Sequence, residues 1–270
     1  MSGSSFGPAP ERGLAIRGLV TAIRFLTIVP VPGRALEGPE ALGRAAGWFP
    51  LVGLALGGLL WLVDRALTLL VQPSLSAVFV LLVWKLLTGG IHLDGLADSL
   101  DGLSGRDPAE RLAIMRDGRI GTYGALGLVF VLLIAYAVLA NLVLWTFRGP
   151  GLVLAPAVGR LAPLLLARTF TPAAGRGSGA AFMGAGRGPA PLLGAIPVAV
   201  AALALSGPWG LLLAAVGLAV AGTAAGVFSR RLGGLTGDVL GAAVELAELA
   251  VLVACVTYQH ASILGTDLFR

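Results

Sequence analysis

Hydrophobic positions fall in long runs along this chain, and polar positions crowd the short stretches between them. Seven apolar spans can be read: 47–63, 75–87, 121–144, 152–167, 189–205, 211–227 and 239–258. Some are short for a hydrocarbon layer of ~30 Å, so tilt or partial immersion is expected. Ahead of them, residues 14–28 carry Arg17, Thr21 and Arg24 on one helical face with apolar residues opposite, the pattern of a helix lying in the membrane interface. Pro30-Val31-Pro32-Gly33 ends that helix. Residues 1–13 are polar, rich in Ser, Gly and Pro, and read as a disordered leader without the layout of a cleaved signal. The pattern predicts an all-α, polytopic integral membrane helix bundle, with about seven transmembrane helices plus an N-terminal interfacial helix. Residues 14–260 form one membrane-embedded domain, catalytic on the chemistry below, and 261–270 form a tail.

Composition sharpens this picture. With 57% hydrophobic and 12% charged residues and a mean hydropathy of +0.90, an ordinary soluble domain is excluded. Forty glycines and sixteen prolines suit helices that pack closely and break where a site needs irregular backbone. The single cysteine, Cys255, leaves no internal disulfide and reads as a small core residue. The formal charge of +5 does not indicate nucleic acid, because the basic residues are scattered and not interleaved with aromatics. It indicates topology. With the N-terminus in the cytoplasm, Arg12, Arg17, Arg24, Arg34, Arg44, Arg106, Arg111, Arg116, Arg119, Arg176, Arg187, Arg230 and Arg231 lie inside, and only Arg65, Arg148 and Arg270 lie outside.

Nine of the fourteen acidic residues sit in two stretches, one spanning Asp94 to Asp117 and the other Asp238 to Glu248. On a helix, Asp94, Asp98 and Asp101 fall within about 60° of one another, and Asp238, Glu245 and Glu248 within about 80°. Carboxylates so gathered repel unless a cation sits among them, and oxygen-only ligands favour Mg²⁺ or Mn²⁺ over zinc. All six are therefore candidate metal ligands, on two acidic faces able to clamp a phosphoryl group between them. The plainer readings are a solvated helix surface for the first face and glutamates bridged to arginines for the second. Asp107 and Glu110 are expected to cap a helix that starts at Pro108. Arg116 and Arg119, flanking Asp117, suit a bidentate grip on phosphate oxygens, and Gly121 lets backbone approach a ligand. His92 faces away from Asp94 and reads as a hydrogen-bonded residue ahead of a metal ligand. Lys85 and Arg160 lie within apolar spans, where either can snorkel. The glycine-rich stretch 168–188 reads as a loop, able to close over a ligand or to serve as a flexible connector.

Three long motifs resemble one known family. They are Thr88-Gly89-Gly90-Ile91-His92-Leu93-Asp94-Gly95-Leu96-Ala97-Asp98-Ser99-Leu100-Asp101-Gly102, then Ile114-Met115-Arg116-Asp117-Gly118-Arg119-Ile120-Gly121-Thr122-Tyr123-Gly124, then Leu232 through Glu248 with Thr236-Gly237-Asp238 at its centre. Together with Phe25-Leu26-Thr27 and Phe49-Pro50-Leu51-Val52-Gly53 they are similar to the adenosylcobinamide-GDP ribazoletransferases, membrane enzymes of cobalamin synthesis. Gly118 departs from the serine of the family pattern. The resemblance implies that adenosylcobinamide-GDP and α-ribazole, or its 5′-phosphate, are joined with release of GMP. It further implies a Mg²⁺-dependent reaction on the cytoplasmic face of a bacterial or archaeal cytoplasmic membrane. On this reading Asp101 is the first candidate for general base and Asp117 the second, Arg116 and Arg119 steady the phosphoryl oxygens, and His92, Gly121 and Thr236 join them in contacting substrate. Self-association stays open. Two alternatives compete. One is a phosphotransferase of CDP-alcohol type, whose paired aspartates are chemically analogous to Asp94-Gly95-Leu96-Ala97-Asp98. The other is a cation-coupled secondary transporter using Glu245 and Glu248.

Overall fold

Glycine, proline and capping residues decide where the apolar runs become helices and where those helices stop. The computed structural model of the chain describes residues 11–38, 40–173, 178–185 and 190–265. Its helices are α1 (Glu11–Leu26), α2 (Ala41–Ala45), α3 (Phe49–Leu67), α4 (Pro73–Leu87), α5 (Ile91–Gly102), α6 (Pro108–Met115), α7 (Thr122–Asn141), α8 (Trp145–Thr169), α9 (Ser178–Ala185), α10 (Ala190–Ser206), α11 (Pro208–Leu232) and α12 (Gly237–Ile263). A 3-10 turn, Ala46–Trp48, joins α2 to α3. Among the described residues the sole extended pairing is one bridge between Pro172 and Leu235. The fold is all-α, as expected. The leader residues 1–10, with Arg176, Arg187 and Arg270, lie outside the described residues.

Five helical stretches are long and apolar enough to cross a membrane: Ala41–Leu67, α7, α8, α11 and α12. The pair α4 and α5 qualifies only jointly, with a bend of 87°, which makes the count up to six. Leu192–Ser206, within α10, is apolar but shorter. Among the described residues, the helices of two expected spans, 75–87 and 189–205, are thus shorter than a full crossing by themselves. At 1.5 Å per residue, the 15 residues of α4 cover about 22 Å against the ~30 Å required. The bend follows from Gly89 and Gly90, both in the left-handed region at φ +61° and +69°. It turns the 12-residue α5 sharply away from the direction of α4.

At the centre of the bundle, α8 is buried along most of its length despite Pro150, Pro156 and Pro163 inside it. α3 lies directly against it: a Cβ at Gly53 would come within 2.8 Å of Ala157 Cα, and one at Gly57 within 2.6 Å of Val153 O. Small residues permit this backbone contact where no hydrophobic drive between helices exists in lipid. α8 starts at Trp145, seven residues before the expected span, because Arg148 is buried there. Its Nε donates to Asp64 Oδ2 and its Nη2 to Asp64 Oδ1, both at 2.7 Å, while Ser76 Oγ donates to Asp64 Oδ1 at 2.6 Å.

Two local expectations change. The polar face of α1 is occupied by the segment that follows it: Arg17 donates to Ala35 O, Arg24 to the carbonyls of Val31 and Gly33, and Leu36 N–H donates to Thr21 Oγ1. Part of the stretch read as a glycine-rich loop is helical, since α9 buries Phe182 and Met183, with Phe182 stacked on Phe49. The α6 cap is as expected: Pro108 occupies the first turn and Asp107 Oδ1 accepts the Glu110 N–H at 2.9 Å.

Candidate active site

The residues with chemistry collect where the start of α12 crosses α5. Gly95 makes the crossing possible, because a Cβ there would lie 2.7 Å from the Asp238 carbonyl oxygen. Gly241 sits in turn against the His92 backbone. α12 begins at Thr236, whose Oγ1 accepts the Val239 N–H at 3.2 Å, so Thr236 serves as its N-cap. This contact brings Asp238 beside Asp94 and Asp98. Burial first, and then the charges of Asp94, Asp238 and Asp101, push the Asp98 carboxyl up to about 6. Asp94 is exposed, and Asp98 and Asp238 are half-buried.

Asp101, the third residue of the predicted stripe, has a different task. It is buried; Gly121 N–H donates to its Oδ2 at 2.7 Å and Gly124 N–H to its Oδ1 at 2.8 Å. Both oxygens hold the first turn of α7, where four backbone N–H groups would otherwise lack partners. A general base needs a carboxylate within reach of substrate, and Asp101 is enclosed by α5 and α7 instead. Gly121 likewise meets Asp101. Asp117, the second candidate base, faces solvent in a pair with Arg119, whose Nη2 donates to Asp117 Oδ2 at 2.5 Å. The Arg119 hydrogen bond holds the Asp117 carboxyl below its ordinary value. Arg116 is exposed on the same loop.

The second acidic face divides. Asp238 joins the aspartates of α5, whereas Glu245 and Glu248 turn into the bundle. Lys85 Nζ donates to Glu245 Oε2 at 2.6 Å and to Glu248 Oε2 at 3.2 Å, and Arg160 Nη1 donates to Glu248 Oε1. Two cations and two anions thus balance inside the bundle, as buried charges require. Lys85 does not snorkel. The glutamates are not brought to Asp94 and Asp98, and the plainer reading of bridged glutamates describes them.

Next to the α5–α12 crossing lies a cavity of about 340 Å³. Arg24, Phe25, Phe49, Phe182 and Leu240 form its walls, with His92, Arg160 and Asp238 as polar members. Arg160 and His92 are 1% and 7% exposed, yet Arg160 Nε and Nη2 and His92 Nδ1 have no hydrogen-bond partner among the described residues. Buried polar atoms left this way cost about 1–3 kcal/mol each. Among the described residues no three Asp, Glu, His or Cys side chains are already gathered around one point to hold a metal ion. The donor set of Asp94, Asp98 and Asp238 is nevertheless all hard oxygen, and part of what raises the Asp98 carboxyl, after burial, is the charge of its acidic neighbours, which a cation would offset.

The family model described as cobalamin-5-phosphate synthase matches residues 18–256. The chain belongs to that family. It is 44% identical over 238 residues to a protein from Ectopseudomonas mendocina (strain ymp) named adenosylcobinamide-GDP ribazoletransferase, covering 86% of this chain and 96% of that relative. Relatives with the same name come from Roseiflexus sp. (strain RS-1), 40% identical over 91% of both chains, and from Klebsiella pneumoniae, 40% identical over 88% of this chain and 99% of the relative. No solved structure matches the chain. The cobalamin-5-phosphate synthase family is one of transferases, so the enzymatic expectation holds.

Within this family member, sequence reasoning left two sets of residues unplaced. Asp64 and Arg148 went unpaired, although a lone charge inside each of two apolar runs is itself a demand for a partner. Arg160 was read only as able to snorkel. Its burial beside Glu248 was signalled by the same rule, but its place in the cavity wall was not.

Proposed function

We propose that the chain is an adenosylcobinamide-GDP ribazoletransferase of the cytoplasmic membrane, multi-pass, with its active site facing the cytoplasm. A ribazole hydroxyl attacks the cobinamide-side phosphorus of the donor diphosphate. The phosphoanhydride bond breaks, a phosphodiester forms, GMP leaves, and the hydroxyl proton passes to a carboxylate of the cluster. The observation that carries this reading is the meeting of Asp94 and Asp98 with Asp238 at the wall of a cavity that Arg160 also lines. Acid on one side and guanidinium on the other suit a diphosphate that must be both neutralised and oriented.

Mg²⁺, with Mn²⁺ as a substitute, would be held by Asp94, Asp98 and Asp238 and would supply neutralisation of the charge developing on the departing GMP. Gly95 keeps α5 close enough for these carboxylates to act together. Arg116 and Arg119, exposed on the loop before α7, reach for phosphoryl oxygens from the solvent side. The transporter reading loses its support because Glu245 and Glu248 are already matched by Lys85 and Arg160.

The test uses detergent-purified protein, adenosylcobinamide-GDP, ribazole and Mg²⁺, with GMP and the corrinoid product followed by chromatography. Both products should form, EDTA should stop them, and Asp94→Ala or Asp98→Ala should lower turnover by about a hundredfold or more, in line with loss of transition-state charge stabilisation. CMP release from a CDP-linked donor, with none of GMP, would move the chain to the CDP-alcohol chemistry. Full activity in either aspartate variant at limiting Mg²⁺ would refute the metal assignment.

A further inference from the structure

Helix α5 leaves α4 at an angle of 87°, so whatever holds that corner sets how Asp94 and Asp98 meet Asp238. The corner is closed by its own backbone. Gly89 N–H donates to Leu86 O and Gly90 N–H to Lys85 O, each at 3.0 Å, the paired bonds by which left-handed glycines end a helix. Thr88 Oγ1 donates to Trp84 O and to Lys85 O, both at 3.2 Å. On the far side, Asp94 N–H donates to Gly90 O at 2.9 Å, which joins the corner to the first turn of α5. Bonded in this way, the last turn of α4 and the first turn of α5 move as a unit.

Lys85 ties that unit to α12. Its carbonyl oxygen takes the Gly90 N–H, while its ammonium donates to Glu245 Oε2 at 2.6 Å and to Glu248 Oε2 at 3.2 Å. The ammonium also lies 4.8 Å from the centre of the Trp84 ring, which narrows the positions open to it. Glu248 has Arg160 as a second cation, whereas Glu245 pairs with Lys85 alone among the described residues. Glu245 stands seven residues beyond Asp238 on α12, about 10 Å along the axis at 1.5 Å per residue. The unit is thus fixed to α12 at two points, the Lys85–Glu245 pair and the crossing where Gly95 meets the Asp238 backbone. A crossing at a glycine sets a distance of approach and leaves the angle free to pivot. The second point sets the angle.

Resting on the metal assignment in the proposed function, we infer that Lys85, through Glu245, is a positioning residue for the metal site. It holds α5 at the angle that lets Asp94, Asp98 and Asp238 close on one cation, and it touches neither metal nor substrate. Lys85 is absent from the cavity wall, and its ammonium is spent on the glutamates. The sign of its charge separates this role from an electrostatic one. An ammonium repels a metal ion, so its removal acts through charge to tighten metal binding. Loss of position acts the other way.

The experiment is Mn²⁺ binding to the full-length protein in detergent, without donor or acceptor, read from the electron paramagnetic resonance signal of the free ion. Thermal unfolding of each metal-free variant is measured alongside. Lys85→Met should weaken Mn²⁺ binding about tenfold, the low end of what groups that orient metal ligands contribute, and against the direction of its charge. Lys85→Arg keeps a cation and donors for the glutamates and should recover most of the affinity. Lys85→Met combined with Glu245→Met has the net charge of wild type and no orphaned acid. Its unfolding temperature should return toward wild type while its Mn²⁺ affinity stays low, a separation that charge balance alone does not produce. This double variant carries the test should the single one fail to fold. Binding by folded Lys85→Met as tight as wild type or tighter, or affinity restored together with stability in the double variant, would overturn the positioning role. A wild type that binds no Mn²⁺ would remove the metal assignment and this inference with it. Absence of GMP release with the expected binding pattern intact would refute the proposed activity and leave the positioning role standing.

Discussion

Asp101 and Asp98 sit three residues apart on one helix face and do opposite things. Asp101 accepts two backbone N–H groups from α7, so its carboxylate is structural. Asp101→Asn replaces one acceptor oxygen with a donor facing an N–H. It should lower stability by about 1–3 kcal/mol, measured by denaturation in detergent; wild-type stability in this variant would remove the assignment. Asp98 is raised to about 6 by burial and by its acidic neighbours. A carboxyl whose pKa the fold raises favours folding in its protonated form, so its contribution is complete below about pH 4 and is lost as pH climbs through about 6. Metal-free protein should therefore lose thermal stability across that interval, modestly because the group is partly solvated. Asp98→Asn should flatten that part of the profile, and Mg²⁺ should restore stability above pH 6 in wild type only. A profile identical in the two proteins would show that Asp98 carries no such strain.

Among the helices, α8 sets the arrangement of the others, and it buries two arginines, one in its first turn and one past its middle. Arg160 faces the cavity. Arg148 holds Asp64 of α3 with a bidentate pair and donates to the carbonyls of Leu139 and Leu142, so it also secures the turn between α7 and α8. Removing one member of such a pair leaves the other charge buried alone, so Asp64→Ala should cost about 3–5 kcal/mol. The double variant Asp64→Leu with Arg148→Met should recover most of that loss, because no orphaned charge remains. Thermal unfolding of the three proteins decides it: a double variant no better than the single would mean that Arg148 acts mainly through the carbonyls. The helix positions themselves were legible from the apolar runs. The start of α8 was not, since Arg148 and two glycines obscure its hydrophobic signal until burial and pairing are known.

For the molecule as a whole, the acidic crossing, the cavity, the exposed Arg116–Arg119 loop and the last turn of α11 with Arg230 and Arg231 belong to the side proposed to face the cytoplasm. The turn between α3 and α4 belongs to the other. Because Cys255 is buried, the wild-type chain offers a silent background for labelling. In sealed inverted vesicles, an impermeant maleimide should label Gly118→Cys and spare Gln72→Cys, and right-side-out vesicles should give the reverse. The opposite result would turn the active site outward, away from cytoplasmic nucleotides.

Sequence alone determined that the chain is helical and membrane-embedded, because apolar runs of this length admit no other way to satisfy their backbone. It also placed Asp94 and Asp98 on one face, since helical spacing is a local property. What it could not decide was which acids face each other. Asp238, Glu245 and Glu248 share a helix face, yet the first meets the aspartates of α5 while the other two meet Lys85 and Arg160. Partnership among charges depends on how helices cross, and the crossing depends on close contacts such as Gly95 against Asp238. Only the tertiary structure sets those contacts. It made Asp101 an anchor, bridged the glutamates, and set Arg160 in the cavity wall.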